Sequence, residues 1–454
     1  MIDKNIFRAY DIRGIYGKNL DNEIMKKIGL GVGTMMIRKN LGNELLVGND
    51  TRASSEELSN SFIEGVTSAG INATNVGTTS FGVALFSGWK LKKDVIAFIT
   101  ASHKPPEWNG IKFFDKDCVG FFEEDNLEIG RIVIEEDFED SGKKGVVKKT
   151  DMKTKYIEYL KSKFNFEKKL KIVVDCGNGC TGLVAPDLLK DFKNLEVIEL
   201  FCNIDPKFSG RGSDVQEENL QSLKNKVIKE NADFGFAFDG DGDRIGIVDN
   251  KGHILETGQI GTIICKNLIS NGTGKVVVNV ENSMSMEEEV KKLGGEIIRI
   301  PVGHTFMMRE ALRSKAIFGS EASKHFVIPE YFPFDDAMVI GLKMCEIIST
   351  QGKLSDLAEK VKTYPNDRMK FECDDEIKFF VVENLKNKLS EEYDKIITMD
   401  GIRIEFKNSW VLIRASNTGP SIRITVEAKT FEKLAELKNK FSRLLTEEIE
   451  KCKQ

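Results

Sequence analysis

The chain alternates apolar and polar segments with two different periods, and these periods predict its secondary structure. Apolar runs such as ELLVGND and DVIAFIT predict strands, and amphipathic stretches around residues 55–69 and 81–89 predict helices. The rhythm returns after Lys171, where KIVVD leads through the glycine-rich turn CGNGCTG to a helix start at LVAPDLL. KVVVNV, EIIRI and AIFGS then recur as strands between helical stretches. Strands that alternate with helices predict βαβ units.

The pattern changes near the end of the chain. The segments DGIRIEF, SWVLIRAS and SIRITVEAK alternate like antiparallel strands, and a polar helix over 431–451 follows them. We therefore predict an α/β fold with three similar α/β domains, over 1–150, 151–256 and 257–366, and a C-terminal α+β domain over 367–454. We interpret the charged stretch 135–159 as the linker between the first two domains.

Composition limits the class of protein. A chain of 454 residues with 41% hydrophobic content can bury several cores. No apolar run reaches the roughly 18 residues that a membrane span needs, and the start MIDKNIFRAY lacks a signal-peptide pattern. The net charge of −5 comes without a basic block, which argues against nucleic-acid binding. We expect a cytoplasmic protein that binds small molecules and no membrane, and the sequence leaves its oligomeric state open.

The eight cysteines are scattered and form no Cys-x-x-Cys pair. Such spacing predicts neither a metal site nor a disulfide framework. We expect them to be thiols in a reducing compartment.

The most specific local signal is a loop of alternating aspartate and glycine, Asp239-Gly-Asp241-Gly-Asp243, followed by Arg244. The alternation puts three carboxylates on one side of a tight turn, where they repel each other unless a hard divalent cation binds. An EF-hand would need glycine sixth and glutamate twelfth, but Arg244 and Asn250 stand there. Mg²⁺ with an open coordination position suits a phosphate oxygen, and Arg244 can bind the same phosphate.

A second candidate is Ser102 in TASHKPP, which follows the apolar strand DVIAFI. Ligand sites of α/β folds form at the carboxyl ends of strands, so we expect an exposed Ser102 there. Beside His103 and a bound metal, a serine hydroxyl can carry a phosphoryl group. Taken alone, such a segment is as often a turn as a site.

Two further loops complete the chemistry. GSEASKH over 319–325 offers a carboxylate, hydroxyls, an ammonium and an imidazole, a mixture that suits sugar hydroxyls, although a plain polar loop is its alternative. RASNTGPSIR over 414–423 combines hydroxyl residues, a glycine turn and two guanidinium groups, which suit a phosphate dianion. Of the four histidines, His103, His304 and His325 fall in loops after strands, where core burial is not expected, and His253 is read as surface.

These four loops, in their order along a chain of this length, resemble the α-D-phosphohexomutase superfamily over nearly the whole sequence. The opening FRAYDIRGIYG is most similar to its phosphomannomutase/phosphoglucomutase branch, whereas phosphoglucosamine mutases tend to open with a phenylalanine-glycine-threonine version. The resemblance implies a four-domain enzyme around a central cleft, to which each domain contributes one loop. The domains are three α/β units and a last domain that closes over the substrate's phosphate.

The resemblance also implies roles by position. Ser102 matches the phosphoserine and, with Asp239, Asp241 and Asp243, the Mg²⁺ site, while Arg13, His103, Lys112 and His325 are unranked candidates for proton transfer. Substrate-binding matches are Tyr10, Arg244, Gly303, His304, Glu321, Ser323, Arg414, Ser416, Asn417, Thr418 and Arg423.

The implied reaction interconverts hexose 1-phosphate and hexose 6-phosphate of mannose or glucose. Phospho-Ser102 gives its phosphoryl group to the bound monophosphate, the hexose 1,6-bisphosphate turns round, and the other phosphate returns to Ser102. Hexose 1,6-bisphosphate is then also the activator of the dephosphorylated enzyme.

Three positions depart from the family pattern and bear on substrate. Lys104 stands where asparagine is usual, Lys324 where a small residue is usual, and Glu281 lies where relatives acting on mannose and glucose phosphates often carry lysine. Phosphoglucosamine mutase, which shares the chemistry and differs in what it accepts at C2 of the sugar, is a close enzyme alternative, and no residue decides between the two. A sugar-phosphate-binding protein without turnover and a metal-dependent phosphatase are alternatives of other classes.

Overall fold

Four β-sheets follow one another along the chain in the computed structural model, which describes residues 2–7, 11–139, 141–269, 272–416 and 419–453. The strands of each sheet come from one continuous stretch of sequence. Three sheets are mixed and covered by helices, and the last is antiparallel. The predicted fold class, three α/β units and a C-terminal α+β unit, is confirmed.

The first sheet has the strand order β1-β5-β4-β2-β3-β6, and β5 runs antiparallel to both of its neighbours. Helices α1 and α2 pack against each other, and both lie against this unit's own core. Its strands are β1 Ile12–Ile15, β2 Glu44–Asn49, β3 Asn72–Thr78, β4 Val95–Ile99, β5 Trp108–Asp115 and β6 Val147–Lys149, and its helices are α1 Asn22–Arg38, α2 Ser55–Ser68, α3 Phe81–Leu91 and α4 Glu123–Glu135.

The charge of the stretch 135–159 had suggested a simple linker, and this interpretation is wrong. The stretch contains β6, which pairs with β3, and the start of helix α5, Lys153–Lys163. The side chains of β6 are exposed, so main-chain hydrogen bonds hold this edge strand and leave no apolar signal in the sequence. Helix α5 buries only Tyr156 and Leu160 among its lysines.

The second and third sheets share a plan of parallel strands with one antiparallel edge strand, in the orders β10-β9-β7-β8 and β12-β11-β13-β14. The second unit contains β7 Leu170–Asp175, α6 Ala185–Leu189, β8 Leu195–Leu200, α7 Gln221–Glu230, β9 Phe234–Phe238 and β10 Ile245–Asp249. The third contains α8 Thr257–Leu268, β11 Lys275–Asn279, α9 Met284–Lys292, β12 Glu296–Ile300, α10 His304–Ser314, β13 Phe318–Ser320, β14 Phe326–Val327, α11 Ala337–Gln351 and α12 Leu354–Glu359.

The fourth sheet is antiparallel with the order β15-β19-β18-β17-β16, and one face is covered by two helices. Its elements are β15 Asn366–Glu372, α13 Lys378–Glu392, β16 Ile396–Ile397, β17 Ile402–Phe406, β18 Ser409–Ala415, β19 Ser421–Ala428 and α14 Phe431–Cys452. Strand β15 begins one residue before the predicted start of this domain, and the exact domain bounds stay a prediction.

One apolar core runs through the first three units, whereas the fourth has a core of its own. Leu46, Phe234 and Phe318, from three different sheets, belong to the same buried cluster. Ile413 and Phe441 belong to the separate cluster of the last unit. The first three units therefore form a continuous support, against which the fourth unit presents its loop.

No helix in the described part of the chain is long and apolar enough to cross a membrane.

Candidate active site

The four predicted loops meet in one cleft, with a volume of about 360 Å³. Each loop follows a strand: β4 leads to Ser102, β9 to the aspartate loop, β13 to Glu321 and β18 to Ser416. The cleft wall includes the predicted residues Arg13, His103, Lys112, Arg244, Gly303, His304, Glu321, Ser323, His325, Arg414, Ser416 and Arg423. Tyr10, Asn417 and Thr418 lie outside the described residues.

Ser102 is fully buried next to His103, which lines the cleft, and this corrects the expectation of an exposed serine. Its hydroxyl donates to Asp239 Oδ2 at 2.8 Å and lies 3.4 Å from His103 Nδ1. The residue has a positive φ of 51°, and its N–H donates to Thr100 Oγ1 at 2.8 Å. The aspartate loop of the second unit covers the serine, and sequence alone does not show such a contact.

The backbone around Ser102 is held by Arg52, which the sequence reasoning missed. This buried guanidinium donates to the carbonyls of Ser102 and Lys104, each at 2.7 Å, and to the carbonyl of Pro105 at 2.6 Å. Asp50 pairs with Arg52 at 3.1 Å. Both residues come directly after β2, so the carboxyl end of a neighbouring strand was the signal to follow.

Glycine is required where the aspartate loop meets the serine loop. A Cβ on Gly240 would lie 2.6 Å from the Ser102 carbonyl oxygen, and Gly242 has a φ of 87°. Because only glycine fits so close to another backbone or adopts that φ without strain, the two glycines let the carboxylates reach Ser102.

The three aspartates of this loop are buried, and their carboxylate oxygens lie within 4.8 Å of one another. Asp241 Oδ1 and Asp243 Oδ1 have no hydrogen-bond partner among the described residues. Burial, together with the charges of Asp243 and Asp241, raises the pKa of Asp239 well above its ordinary value. Converging buried carboxylates with orphaned oxygens fit a hard divalent cation such as Mg²⁺.

Lys112, on β5, balances part of this negative charge. Its Nζ lies 2.6 Å from Asp243 Oδ2 and 3.1 Å from Asp241 Oδ2. Burial disfavours its charge, but the two carboxylates outweigh that effect and raise the pKa of Lys112 above its ordinary value. The ammonium therefore stays charged next to the aspartate loop.

Arg244 links two of the predicted histidines. Its Nε donates to His325 Nε2 at 2.8 Å, and its Nη1 lies 2.8 Å from His103 Nδ1. Since guanidinium nitrogens only donate, both histidine nitrogens act as acceptors in this arrangement. Burial and the positive charge of Arg244 hold the pKa of His103 far below its ordinary value.

Asp335, which the sequence reasoning missed, contacts the Nδ1 atoms of two histidines that line the cleft. Its Oδ2 lies 2.7 Å from His325 Nδ1 and 3.2 Å from His304 Nδ1. The Asp335 carboxylate is fully buried. Burial by itself would lower the pKa of His304, but the negative charge of Asp335 outweighs that effect and raises it. The pair Asp335-Asp336 between the apolar runs YFPF and AMVI was a signal, since a buried carboxylate needs a partner.

Glu321 is held rigidly in the loop predicted to bind sugar hydroxyls. Its Oε1 accepts from the Gly303 N–H at 2.6 Å and from Asn279 Nδ2 at 3.0 Å. Ser323 Oγ donates to Oε2 at 2.9 Å. Asn279, at the end of β11, was missed because a single asparagine after a strand carries no motif.

Strands β18 and β19 bring Arg414 and Arg423 to the cleft, the loop between them adds Ser416, and Arg368 of β15 joins them. Arg414 Nε pairs with Asp400 Oδ2 at 2.9 Å. Arg368, the first basic residue of NDRMKFE, was missed because it stands in an alternating strand pattern without a motif. The guanidinium groups of Arg368, Arg414 and Arg423 together form an arginine wall, an arrangement suited to a phosphate dianion.

The two lysine departures also line the cleft. Lys104 Nζ lies over the Trp108 ring, 5.5 Å from its centroid, and Lys324 Nζ donates to the Val215 carbonyl. Burial lowers the pKa of Lys324. At the third departure, Glu281 Oε2 lies 3.3 Å from Arg368 Nη2.

Comparison with known proteins points to one family over the whole chain. Four family models match in order: the phosphoglucomutase/phosphomannomutase alpha/beta/alpha domains I, II and III over residues 4–140, 154–252 and 257–364, and the C-terminal domain over 369–444.

Individual relatives cover nearly the full length. A Pyrococcus abyssi protein named "probable phosphoglucosamine mutase" is 33% identical over 452 residues, 98% of this chain and 99% of that protein. A Pseudomonas putida phosphomannomutase/phosphoglucomutase is 31% identical, over 96% and 94%. A crystal structure of a phosphoglucomutase/phosphomannomutase family protein from Burkholderia thailandensis superimposes with a TM-score of 0.90 at 28% identity, covering 99% of this chain and 98% of that one.

Proposed function

The chain belongs to the phosphoglucomutase/phosphomannomutase family, whose members are intramolecular phosphotransferases, and we propose that it interconverts hexosamine 1-phosphate and 6-phosphate through phospho-Ser102. The observation that carries this proposal is the hydrogen bond from Ser102 to Asp239, next to a cleft that is lined by Glu321 and the arginine wall. A carrier hydroxyl, a metal site, a sugar loop and a phosphate wall are the parts that a phosphohexomutase needs.

In the proposed reaction, a free hydroxyl of the bound monophosphate attacks the phosphorus of phospho-Ser102. A new sugar oxygen–phosphorus bond forms, the bond to Ser102 Oγ breaks, and the attacking hydroxyl gives its proton to a nearby base. The hexose 1,6-bisphosphate turns round. Ser102 Oγ then attacks the other phosphate, and the released sugar oxygen takes up a proton. Hexose 1,6-bisphosphate is also the proposed activator of an enzyme that has lost its phosphoryl group.

Asp239, Asp241, Asp243 and the Ser102 oxygen are the proposed holders of Mg²⁺, the metal on which the family depends. When bound, the ion supplies positive charge against the phosphoryl oxygens. The Lys112 ammonium and the Arg244 guanidinium, 2.6 Å and 4.0 Å from oxygens of Asp243, add fixed positive charge at the same place. The proton-transfer group is proposed to be one of Arg13, His103, Lys112 and His325, of which His103 contacts Ser102.

Arg414, Ser416 and Arg423, which the fourth unit contributes to the cleft, are proposed to hold the phosphate that does not react. Glu321 and Ser323 are proposed to accept hydrogen bonds from, and donate them to, the sugar hydroxyls in both orientations. Because Gly303 and Asn279 fix the Glu321 carboxylate, little ordering remains when the sugar binds. The remaining matches, Tyr10, Asn417 and Thr418, are kept as proposed substrate contacts from the sequence.

The sugar is proposed to be glucosamine. The opening FRAYDIRGIYG had favoured mannose and glucose, but the Pyrococcus abyssi relative is named for glucosamine, and Glu281 puts a carboxylate in the cleft. Mannose and glucose phosphates form the second candidate, favoured by the Pseudomonas putida relative. The proposed setting is the cytoplasm, with small-molecule sugar phosphates as the partners.

Phosphorus NMR tests the proposal directly. The protein is incubated with Mg²⁺ and a trace of glucose 1,6-bisphosphate, and glucosamine 1-phosphate, glucose 1-phosphate and mannose 1-phosphate are offered separately. We expect 6-phosphates to appear, fastest from glucosamine 1-phosphate. Inorganic phosphate alone would indicate the phosphatase alternative, and an unchanged spectrum for every sugar would indicate a binding protein without turnover.

A further inference from the structure

One carboxylate in the arginine wall has no task in the reaction described so far. Glu281 follows β11, and its side chain is only 10% exposed. Oε2 lies 3.3 Å from Arg368 Nη2, and Oε1 lies 4.0 Å from Arg414 Nη1. A carboxylate here weakens the attraction of the wall for a phosphate dianion, so its presence calls for an explanation.

We propose that Glu281 binds the ammonium group at C2 of a hexosamine phosphate and so determines the sugar specificity of the cleft. This inference rests on the proposed function and names the residue that would make it selective. The chemistry recognised is an ammonium one ring atom away from a sugar carbon that carries a phosphate.

The position of Glu281 supports this assignment. Its N–H donates to Asn279 Oδ1 at 3.1 Å, and Asn279 Nδ2 donates to Glu321 Oε1 at 3.0 Å. The residue therefore connects the sugar loop to the arginine wall. In a hexose 1-phosphate the C2 substituent lies between the C1 phosphate and the 3-hydroxyl. A ring with its phosphate on Arg414 and its 3-hydroxyl on Glu321 thus turns C2 toward Glu281.

The charges of the wall agree with an ammonium ligand. Arg368, Arg414 and Arg423 supply three positive charges, and Asp400 and Glu281 supply two negative charges within this group. Burial lowers the pKa of Arg423, and Glu281 acts in the opposite direction, so the carboxylate lies close enough to influence this third guanidinium. A phosphate dianion leaves the wall with excess negative charge, and one ammonium beside it restores balance.

The proposed contact forms in only one of the two orientations. With a 1-phosphate on the wall, C2 lies beside Glu281, but with a 6-phosphate on the wall, C2 lies at the Ser102 end. Loss of the carboxylate should therefore weaken binding of glucosamine 1-phosphate more than binding of glucosamine 6-phosphate. A residue that acted only on the phosphate would affect both ligands equally.

Calorimetry on the dephosphorylated full-length protein tests the inference without turnover. Glu281→Gln keeps the shape and removes the charge, and Glu64→Gln, a surface carboxylate paired with Lys26, is the matched control. The probes are glucosamine 1-phosphate, its 6-phosphate, glucose 1-phosphate and N-acetylglucosamine 1-phosphate, whose amide is neutral. Since a charge-assisted hydrogen bond is lost, Kd for glucosamine 1-phosphate should rise about tenfold to hundredfold in Glu281→Gln.

The same variant should not weaken binding of glucose or N-acetylglucosamine 1-phosphate, and Glu64→Gln should change no Kd. Equal changes for charged and neutral sugars, or no change for glucosamine 1-phosphate, would overturn the assignment. Should Glu281→Gln fail to fold, Glu281→Asp serves instead, with a preference for the ammonium sugar that is reduced but retained. Turnover is followed separately by NMR. Selective binding of the ammonium sugar without turnover would contradict the mutase proposal and leave the assignment of Glu281 supported.

Discussion

The Ser102 hydroxyl donates a 2.8 Å hydrogen bond to Asp239 although 137 residues separate the two along the chain. The first unit supplies the serine and the second supplies the carboxylate, so the proposed phosphoryl carrier and the proposed metal site come together only where these units pack against each other. Burial and the charges of Asp243 and Asp241 raise the pKa of Asp239, so a hydrogen-bond donor or a cation beside this carboxylate stabilises its charged form.

Ser102→Ala should abolish mutase turnover and leave sugar-phosphate binding largely intact, because the arginine wall lies in another unit of the fold. We expect less than about a hundredth of wild-type turnover, in line with the loss of a covalent intermediate. NMR turnover and calorimetric Kd are measured side by side. Turnover above about a tenth of the wild-type rate would remove Ser102 as the carrier.

Mg²⁺ should stabilise the fold as well as support turnover, since three buried carboxylates repel one another without it. At about one hundred times the Kd, binding to the folded state alone adds about 2.7 kcal/mol. The melting temperature in Mg²⁺ and in EDTA is the measurement, and Asp241→Asn should shrink the difference. Asp191→Asn, at an exposed ion pair with Lys161, is the control. Identical melting temperatures in Mg²⁺ and EDTA would contradict a metal site here.

Arg414→Ala should raise KM for glucosamine, glucose and mannose 1-phosphates by similar factors, because its guanidinium is proposed to bind phosphate and not the sugar. The loss of a charge-assisted hydrogen bond predicts a change of about tenfold to hundredfold. Steady-state kinetics with Arg443→Ala, an exposed ion pair on α14, provide the comparison. A KM increase confined to one sugar would argue against this role.

Asp335→Asn should lower kcat by about a hundredfold with little change in KM, the scale of a misplaced acid–base group. The carboxylate contacts two histidines that line the cleft and does not itself line it. Asp336→Asn, one residue along, is the matched control because its partner is Tyr156. Equal kcat losses in both variants would mean that Asp335 merely supports the fold.

Asp336 should make the stability depend on pH. Burial raises the pKa of this carboxyl to about 7 in the folded protein, above its ordinary value of 3.8. Below pH ~4 this carboxyl group is protonated in both the folded and the unfolded protein, and its contribution to stability is full. As pH rises toward about 7, only the unfolded protein loses the proton, so the free energy of unfolding falls by an amount on the order of 4 kcal/mol. Melting temperatures of the wild type and Asp336→Asn between pH 5 and 8 test this. The variant should gain stability relative to the wild type as pH rises, and a constant difference would refute the prediction.

Much of the site was predictable because many of its polar side chains lie in short sequence segments with a recognisable pattern. Ser102 after DVIAFI, the Asp-Gly loop and the arginine-bearing loop over 414–423 each combine a local residue pattern with the end of a strand. The alternation of strands and helices also determines which loops lie at carboxyl ends. These features depend only on residues that are close in sequence, so they can be recognised before the tertiary structure is known.

The residues missed by sequence reasoning share the opposite property. Arg52, Asn279, Asp335 and Arg368 act on groups far along the chain, and none stands in a motif. The burial of Ser102 belongs here too, because the aspartate loop of another unit covers it. Strand β6 was missed since backbone pairing, and not apolar side chains, holds it.

The sequence by itself determined the fold class, the family resemblance, the aspartate loop and the phosphoserine candidate, because local composition and periodicity fix strand ends and the side chains at those ends. Only the tertiary structure decided which distant side chains share a wall, that one carboxylate holds two histidines, and that Glu281 lies among three arginines. The physical reason is that hydrogen bonds and Coulomb attraction act over a few ångströms in space, whatever the separation along the chain.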